Sequence, residues 1–263
     1  MALVKTDLEI EKIRKSSLLV GETIAEVARH LRPGITTLEI DRIAYEFIRD
    51  HGALPAFKNY HGYPATLCIS VNEVVVHGIP GKYELKDGDL VSVDCGTIID
   101  GYYGDSAFSF GIGDMKQEVV ELMTRTKESL YKGIDVAVFG KRVGDIGYEV
   151  QSYVESFGYS VVRDLVGHGL GSSLHEKPEV PNYGKRGTGP KLEENMVICI
   201  EPMINLGKKG ISQDRDGWTI RTIDQKPSAH FEHAIAIRKD KADLLSSFDA
   251  IEQVTNHNIL IIK

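Results

Sequence analysis

Cysteine is scarce: the 263 residues contain three, Cys68, Cys95 and Cys199, with no CxxC pair. An odd number of widely spaced thiols excludes a disulfide framework and fits a reducing compartment. Long apolar runs are missing, and no stretch approaches the ~20 residues that a bilayer-spanning helix needs. The opening MALVKTDLEIEKIRK has no apolar run leading to a cleavage site, so no signal peptide is expected. These lacks make a cytoplasmic location, with no membrane partner, the expectation. An excess of positive charge is also missing. Lysines and arginines number 31 against 38 aspartates and glutamates, a net charge of −7. That argues against direct nucleic-acid binding, which favours a basic face, and it leaves negative charge for bound cations to offset. Low-complexity segments and linkers are absent too, so residues 1–263 read as one domain.

What is there is a weak internal repeat. Thr36-Thr37-Leu38-Glu39 resembles a capping box, followed at helical spacing by Ile40, Ile43, Ala44, Phe47 and Ile48 and stopped by Gly52. The layout returns 106 residues later, where Gly140, Ile146, Val150, Tyr153, Val154 and Gly158 match Gly34, Ile40, Ala44, Phe47, Ile48 and Gly52. Apolar periodicity is common enough to produce such matches by chance. Both copies nevertheless lead into β-rich segments, and we expect two related α+β halves, roughly 1–110 and 111–263, with a site between them. Expected strands are Leu90–Asp94, Val161–Val166, Met196–Ile200 and Phe231–Ile237, with a hairpin turn at Asp100-Gly101.

Acidic residues stand where apolar ones would be usual. If Asp100-Gly101 is a two-residue turn, Gly96 faces Asp105, and Asp94 shares that face. The aspartates then become diagonal neighbours roughly 7–8 Å apart, with Gly96 leaving space between them. Glu201 follows Met-Val-Ile-Cys-Ile, and Glu232 shares a strand face with Ala234 and Ala236. Burying a charge costs several kcal/mol, by rough estimate, unless it is paired or bound to metal. Taken by themselves, the aspartates read sooner as solvated acids near a hairpin, and each glutamate reads equally well as half of a buried salt bridge. His168, in Gly167-His168-Gly169-Leu170-Gly171, reads singly as a loop histidine. The glycine spacing there is wrong for a dinucleotide fingerprint, and His175-Glu176 does not open an HExxH motif because position 179 is glutamate. Together, four carboxylates and one imidazole form a balanced donor set for two divalent cations. Thiolates are not in the set, and it suits Mn, Fe, Co or Zn.

These five residues lie within the phrases VNEVVVHGIP, KDGDLVSVDCG, GYYGDSA, VGHGLG, LHEKPEVPNYG, ICIEPM, DGWTIRT and SAHFEHAI. In this order and spacing the chain resembles the type I, bacterial-type methionine aminopeptidases over nearly its whole length. The resemblance implies a pita-bread fold: α+β, with two pseudo-symmetric halves, a central curved antiparallel sheet and helices outside, all in one catalytic domain. It implies removal of an initiator methionine from nascent proteins and peptides when the second residue is small. Asp94, Asp105, His168, Glu201 and Glu232 would hold two metal ions, and water activated between them would attack the scissile carbonyl. Glu201 would carry a proton to the leaving amine, His77 would bond the substrate, and His175 would stabilise the oxyanion. Phe57, Tyr60, Tyr63, Cys68 and Trp218 would wall the methionine pocket, and Asn72, Val74 and Ser228 would hold a monovalent cation. Substrates would include ribosome-associated nascent chains, and the protein would act as a monomer.

Phe57, Leu174 and His230 depart from residues frequent in the family, namely cysteine, phenylalanine and glutamine. Their effect falls on pocket shape rather than on the metal ligands. Two rivals remain. A proline-specific peptidase of the same fold would share the five ligands but usually carries an extra N-terminal domain, for which this length leaves no room. An inactive binding homologue would be expected to have lost a ligand.

Overall fold

Helix α1 (Asp7–His30) starts at Thr6, whose hydroxyl accepts the Glu9 N–H at 3.3 Å while the Glu9 carboxylate accepts the Thr6 N–H at 2.8 Å. This capping box satisfies amides that a helix start leaves open. The structure is a computed structural model and describes residues 4–263; Met1–Leu3, the start of the segment read above for a signal peptide, lie outside the described residues. Helix α2 (Thr37–Asp50) is capped by the Thr36 hydroxyl, which accepts the Glu39 N–H at 3.1 Å. The box expected there is only half formed, because both Glu39 carboxylate oxygens are engaged by Arg42.

Helices α3 (Gln117–Asp135) and α4 (Val143–Glu155) repeat the α1–α2 layout. Gly34 and Gly140 have φ of 86° and 87°, and Gly52 and Gly158 have φ of 71° and 85°. Glycine enters this left-handed region without the Cβ penalty, so the two helix pairs share the geometry of their flanking turns.

Ten strands form the main sheet. In chain order they are β1 (Leu54–Pro55), β2 (Leu67–Val71), β3 (Leu90–Ile99), β4 (Tyr102–Ile112), β5 (Gly167–Gly169), β6 (Glu176–Val180), β7 (Val197–Ile200), β8 (Glu232–Ala236), β9 (Asp243–Leu244) and β10 (Ile259–Leu260). The path across the sheet is β1-β3-β4-β8-β7-β5-β6, with β2 also paired to β3, β9 to β8 and β10 to β4, and every pairing is antiparallel. Asp100-Gly101 makes the expected tight turn between β3 and β4, with Ile99 paired to Tyr102 and Gly96 to Asp105.

The expected strand at Val161–Val166 is corrected. Only Ser160–Val161 forms a strand, paired to Ile204–Asn205 in a separate three-stranded sheet, with Val162 N–H still donating to the Met203 carbonyl at 3.1 Å; the chain then turns so that Leu165 and Val166 line a cavity.

Successive side chains on a strand point to opposite faces. One face of the sheet carries Val91, Val93, Cys95, Phe108, Phe110 and Ile235, which join the helices in the principal core. Phe108, Phe231 and Phe248 meet there with ring centroids 4.9–6.3 Å apart, in the offset and edge-on arrangements aromatic rings favour. Gly104 lets α1 lie directly on this face, since a Cβ there would come within 2.4 Å of the Ser16 and Ser17 backbone. The other face carries Asp94, Asp105, Ala107, Glu232 and Ala234, and it opens into the cleft.

Candidate metal centre

The cleft acids are placed by strand register. Asp94 on β3 and Glu232 on β8 both pair with Ala107 on β4, and Asp105 lies two residues before Ala107 on the same face. Glu201 stands one residue beyond Ile200, the last residue of β7, which pairs with His233. His168 is the middle residue of β5, which pairs with β7. Its Nε2 lies 3.5 Å from Glu201 Oε1 and 3.8 Å from Asp105 Oδ2. Asp105, His168, Cys199 and Glu232 each offer a ligand atom within 4.8 Å of the others.

Three observations test whether divalent ions fit here. First, Asp94 Oδ1, Asp105 Oδ1 and Glu232 Oε1 are buried without a hydrogen-bond partner, although buried polar atoms are nearly always paired. Second, burial lifts Asp94 to about 7. Burial first, and neighbouring carboxylates next, raise Asp105, Glu201 and Glu232 well above the usual range, so the cluster is short of positive charge. Third, burial and then the nearby His175 depress His168 to about 3. Its ring is therefore neutral, and with Nδ1 donating to the Gly169 carbonyl at 3.0 Å the Nε2 lone pair faces two carboxylates. A cation among them relieves all three conditions.

Beside the donor set stands a residue that sequence reasoning passed over. Cys199 lies on β7 opposite Ala234, on the cleft face. Burial, then the Glu232 and Asp105 carboxylates, push its thiol well up, so it stands beside Glu232 as a protonated neighbour, not a thiolate. Its position two residues before Glu201 was the available signal.

Above the acids lies a cavity of about 480 Å³. Every residue expected at the metal, catalytic and methionine-binding positions lines it: Phe57, Tyr60, Tyr63, Cys68, His77, Asp94, Asp105, His168, His175, Glu201, Trp218 and Glu232. Tyr63 meets Trp218 edge-on at 5.1 Å between centroids, and the Tyr63 hydroxyl lies 2.9 Å from the Leu67 carbonyl. His77 adopts φ 58°, a strained conformation of the kind that clusters at functional sites. Burial, then His175, lower it to about 4. His175 is also lowered, by burial and then by His61; its Nδ1 lies 3.0 Å from the Tyr60 hydroxyl. Asp164, Leu165, Val166, Glu176 and Met203 also line the cavity, none of them expected at the site from the sequence, as does Leu174, whose departure from the family was expected to act on the pocket.

Two expectations are refined. The space left by Gly96 does not lie open between the aspartates but is filled by the Phe57 ring, which a Cβ on Gly96 would approach to 2.7 Å. Asn72, Val74 and Ser228 gather outside the cleft. Ser228 N–H donates to the Asn72 carbonyl at 2.9 Å, and the Asn72 side chain is engaged by Asp89 and by the Leu90 N–H.

A sequence profile of metallopeptidase family M24 matches residues 11–239. The chain belongs to that family. Within it the chain groups with the methionine aminopeptidases. The methionine aminopeptidase of Clostridium perfringens is 50% identical over 246 residues, covering 94% of this chain and 99% of that protein. The crystal structure of methionine aminopeptidase from Rickettsia prowazekii superposes with a TM-score of 0.93 at 41% identity, covering 94% of this chain and 100% of that one. The M24 pita-bread fold is thus the fold observed. The prolidase from Pyrococcus furiosus shares it at a TM-score of 0.76 and 21% identity, with only 66% of that chain covered, so the likeness there is one of fold alone.

Proposed function

We propose that the protein is a metal-dependent aminopeptidase that removes an N-terminal methionine from peptides and proteins whose second residue is small. The observation that carries this is the buried donor set Asp94, Asp105, His168, Glu201 and Glu232, with carboxylate oxygens of Asp94, Asp105 and Glu232 left without partners, at the floor of an apolar, aromatic-walled cavity. These five side chains would hold two divalent ions, drawn from Mn, Fe, Co and Zn. When bound, such ions supply Lewis acidity to the scissile carbonyl and acidify water.

The chain's own residues do the rest. Tyr63, Trp218, Phe57 and Cys68 exclude water from the methionine side chain, whose thioether is favoured against aromatic edges. His77 and His175 enter as neutral rings, able to donate a hydrogen bond while bringing no charge. His175 Nδ1 lies 3.0 Å from the Tyr60 hydroxyl; in the tautomer whose Nδ1 accepts from Tyr60, Nε2 keeps the proton and is the donor offered to the developing oxyanion, a contact typically worth a few kcal/mol. Glu201 carries a proton to the leaving amine. Asn72, Val74 and Ser228 would hold a monovalent cation remote from the chemistry, and the enzyme would work as a monomer on chains emerging from ribosomes.

The test is hydrolysis of Met-Ala-Ser and Ala-Pro-Ala peptides by chelated protein before and after Mn²⁺ or Co²⁺ is restored. Metal-dependent methionine release with Ala-Pro-Ala untouched is the expected outcome. Cleavage of the proline peptide instead moves the protein to the prolidase side of the fold, and cleavage of neither supports a binding homologue.

A further inference from the structure

Among the described residues, one ion pair outside the donor set is withdrawn from water on both sides. Lys5 Nζ lies 2.6 Å from Glu176 Oε2, and each side chain is only 6% exposed. Lys5 belongs to the segment before α1. There its N–H donates to the Asn195 carbonyl at 2.9 Å, and Val4 pairs with Met196. Glu176 opens β6, immediately after His175, and lines the same cavity. Its second oxygen, Oε1, accepts the Ser173 N–H at 3.3 Å. The carboxylate thus closes the β5–β6 connection on itself and ties it to the N-terminal segment. Gly171 makes room for this, because a Cβ there would fall 2.4 Å from Lys5 Nζ and 2.5 Å from Glu176 Oε1. From the opposite side His175 is fixed by Tyr60 and by the His168 ring, 4.3 Å away between centroids.

We infer that the Lys5–Glu176 pair is a positioning device that holds the His175 loop in its working geometry. Desolvating two charges makes a buried pair a poor source of net stability. Its yield here is geometric: one carboxylate fixes the loop at Ser173 and at the residue after His175, and Lys5 fixes the carboxylate. The inference rests on the role given to His175 above.

In the metal-loaded full chain, Lys5→Met is expected to lower kcat for a Met-Ala-Ser peptide about tenfold with KM changed less than about twofold. Lys127→Met breaks another pair with a buried lysine, Lys127–Glu252, beside Phe108 on the helix face. It is expected to lower Tm at least as much while kcat stays within about twofold of the parent. In a His175→Ala background Lys5→Met should cost nothing further in kcat, since a residue acting through His175 has nothing left to act on. If Lys5→Met does not fold, Glu176→Gln, which keeps an acceptor for Ser173, carries the same comparisons. A kcat close to the parent's, an equal loss in Lys127→Met, or a loss that adds to that of His175→Ala overturns the inference alone. Absence of methionine release by the wild-type chain overturns the functional reading and the inference together.

Discussion

The two faces of the central sheet are built by the same strands and differ in almost every other respect. Along β3 and β4 the helix-side row reads Val91, Val93, Phe108 and Phe110, all fully buried, while the cleft-side row reads Ser92, Asp94, Gly96, Asp105, Ala107 and Ser109. One face packs large apolar side chains against α1 and α3 and supplies the burial that holds the fold, at about 1.5–3 kcal/mol for each large side chain. The other keeps its side chains small or charged and leaves carboxylate oxygens without partners. Stability and chemistry are thus separated by a single layer of backbone, and the side of the sheet on which a residue falls sets what its loss does.

The largest expected effect is on the cleft face. His168→Ala should lower metal-dependent turnover by several powers of ten while circular dichroism and the unfolding midpoint of the chelated protein change little; near-normal turnover would remove His168 from the donor set. On the opposite face, Phe108→Ala should cost about 3–5 kcal/mol of stability and leave kcat per folded molecule close to the parent's, as read by urea unfolding alongside activity. A kcat loss as large as that of His168→Ala would erase the distinction between the faces. Chelation should act on both quantities: removing ions held at 100 times their Kd lowers stability by about 2.7 kcal/mol, so Tm should rise with added Mn²⁺ in wild type and stay flat in His168→Ala.

The smallest effect concerns pH. The unfolded chain binds a proton at His77 below the ordinary histidine pKa, near 6.5, whereas the native ring does so only below about 4. Between those values the unfolded state holds more protons, so stability falls as pH drops, by on the order of 2 kcal/mol from this one group. His77→Gln should remove that share of the acid sensitivity in denaturation at pH 7 and pH 5, and an unchanged slope would show that His77 protonates freely in the native state.

Much of the cleft face was legible in the sequence because strand alternation and a two-residue turn are local rules. Asp100-Gly101 set the register that places Asp105 opposite Gly96, and the alternation Glu232, Ala234, Ala236 marked the inward face of β8. The family resemblance supplied what those rules could not, notably His77 and His175. What stayed hidden depends on partners distant along the chain. Lys5 meets Glu176 across 171 positions, Phe57 fills the space beside Gly96, and Cys199 reaches the donor set only because β7 lies between β8 and β5. The extended run expected at Val161–Val166 was cut short for the same reason, since Leu165 and Val166 serve a cavity wall instead of a sheet.

The contact between Phe57 and Gly96 also constrains how this pocket can change over generations. With Phe57 present, even an alanine at position 96 would force its Cβ to 2.7 Å from the ring and 2.9 Å from Ala56. A smaller residue at position 57 removes the ring contact, but the Ala56 Cβ would still stand 2.9 Å from a Cβ at position 96, so the backbone beside Ala56 must give as well. A side chain at position 96 therefore depends on two neighbours at once, and lineages that reshape this wall must first make room at both position 57 and position 56.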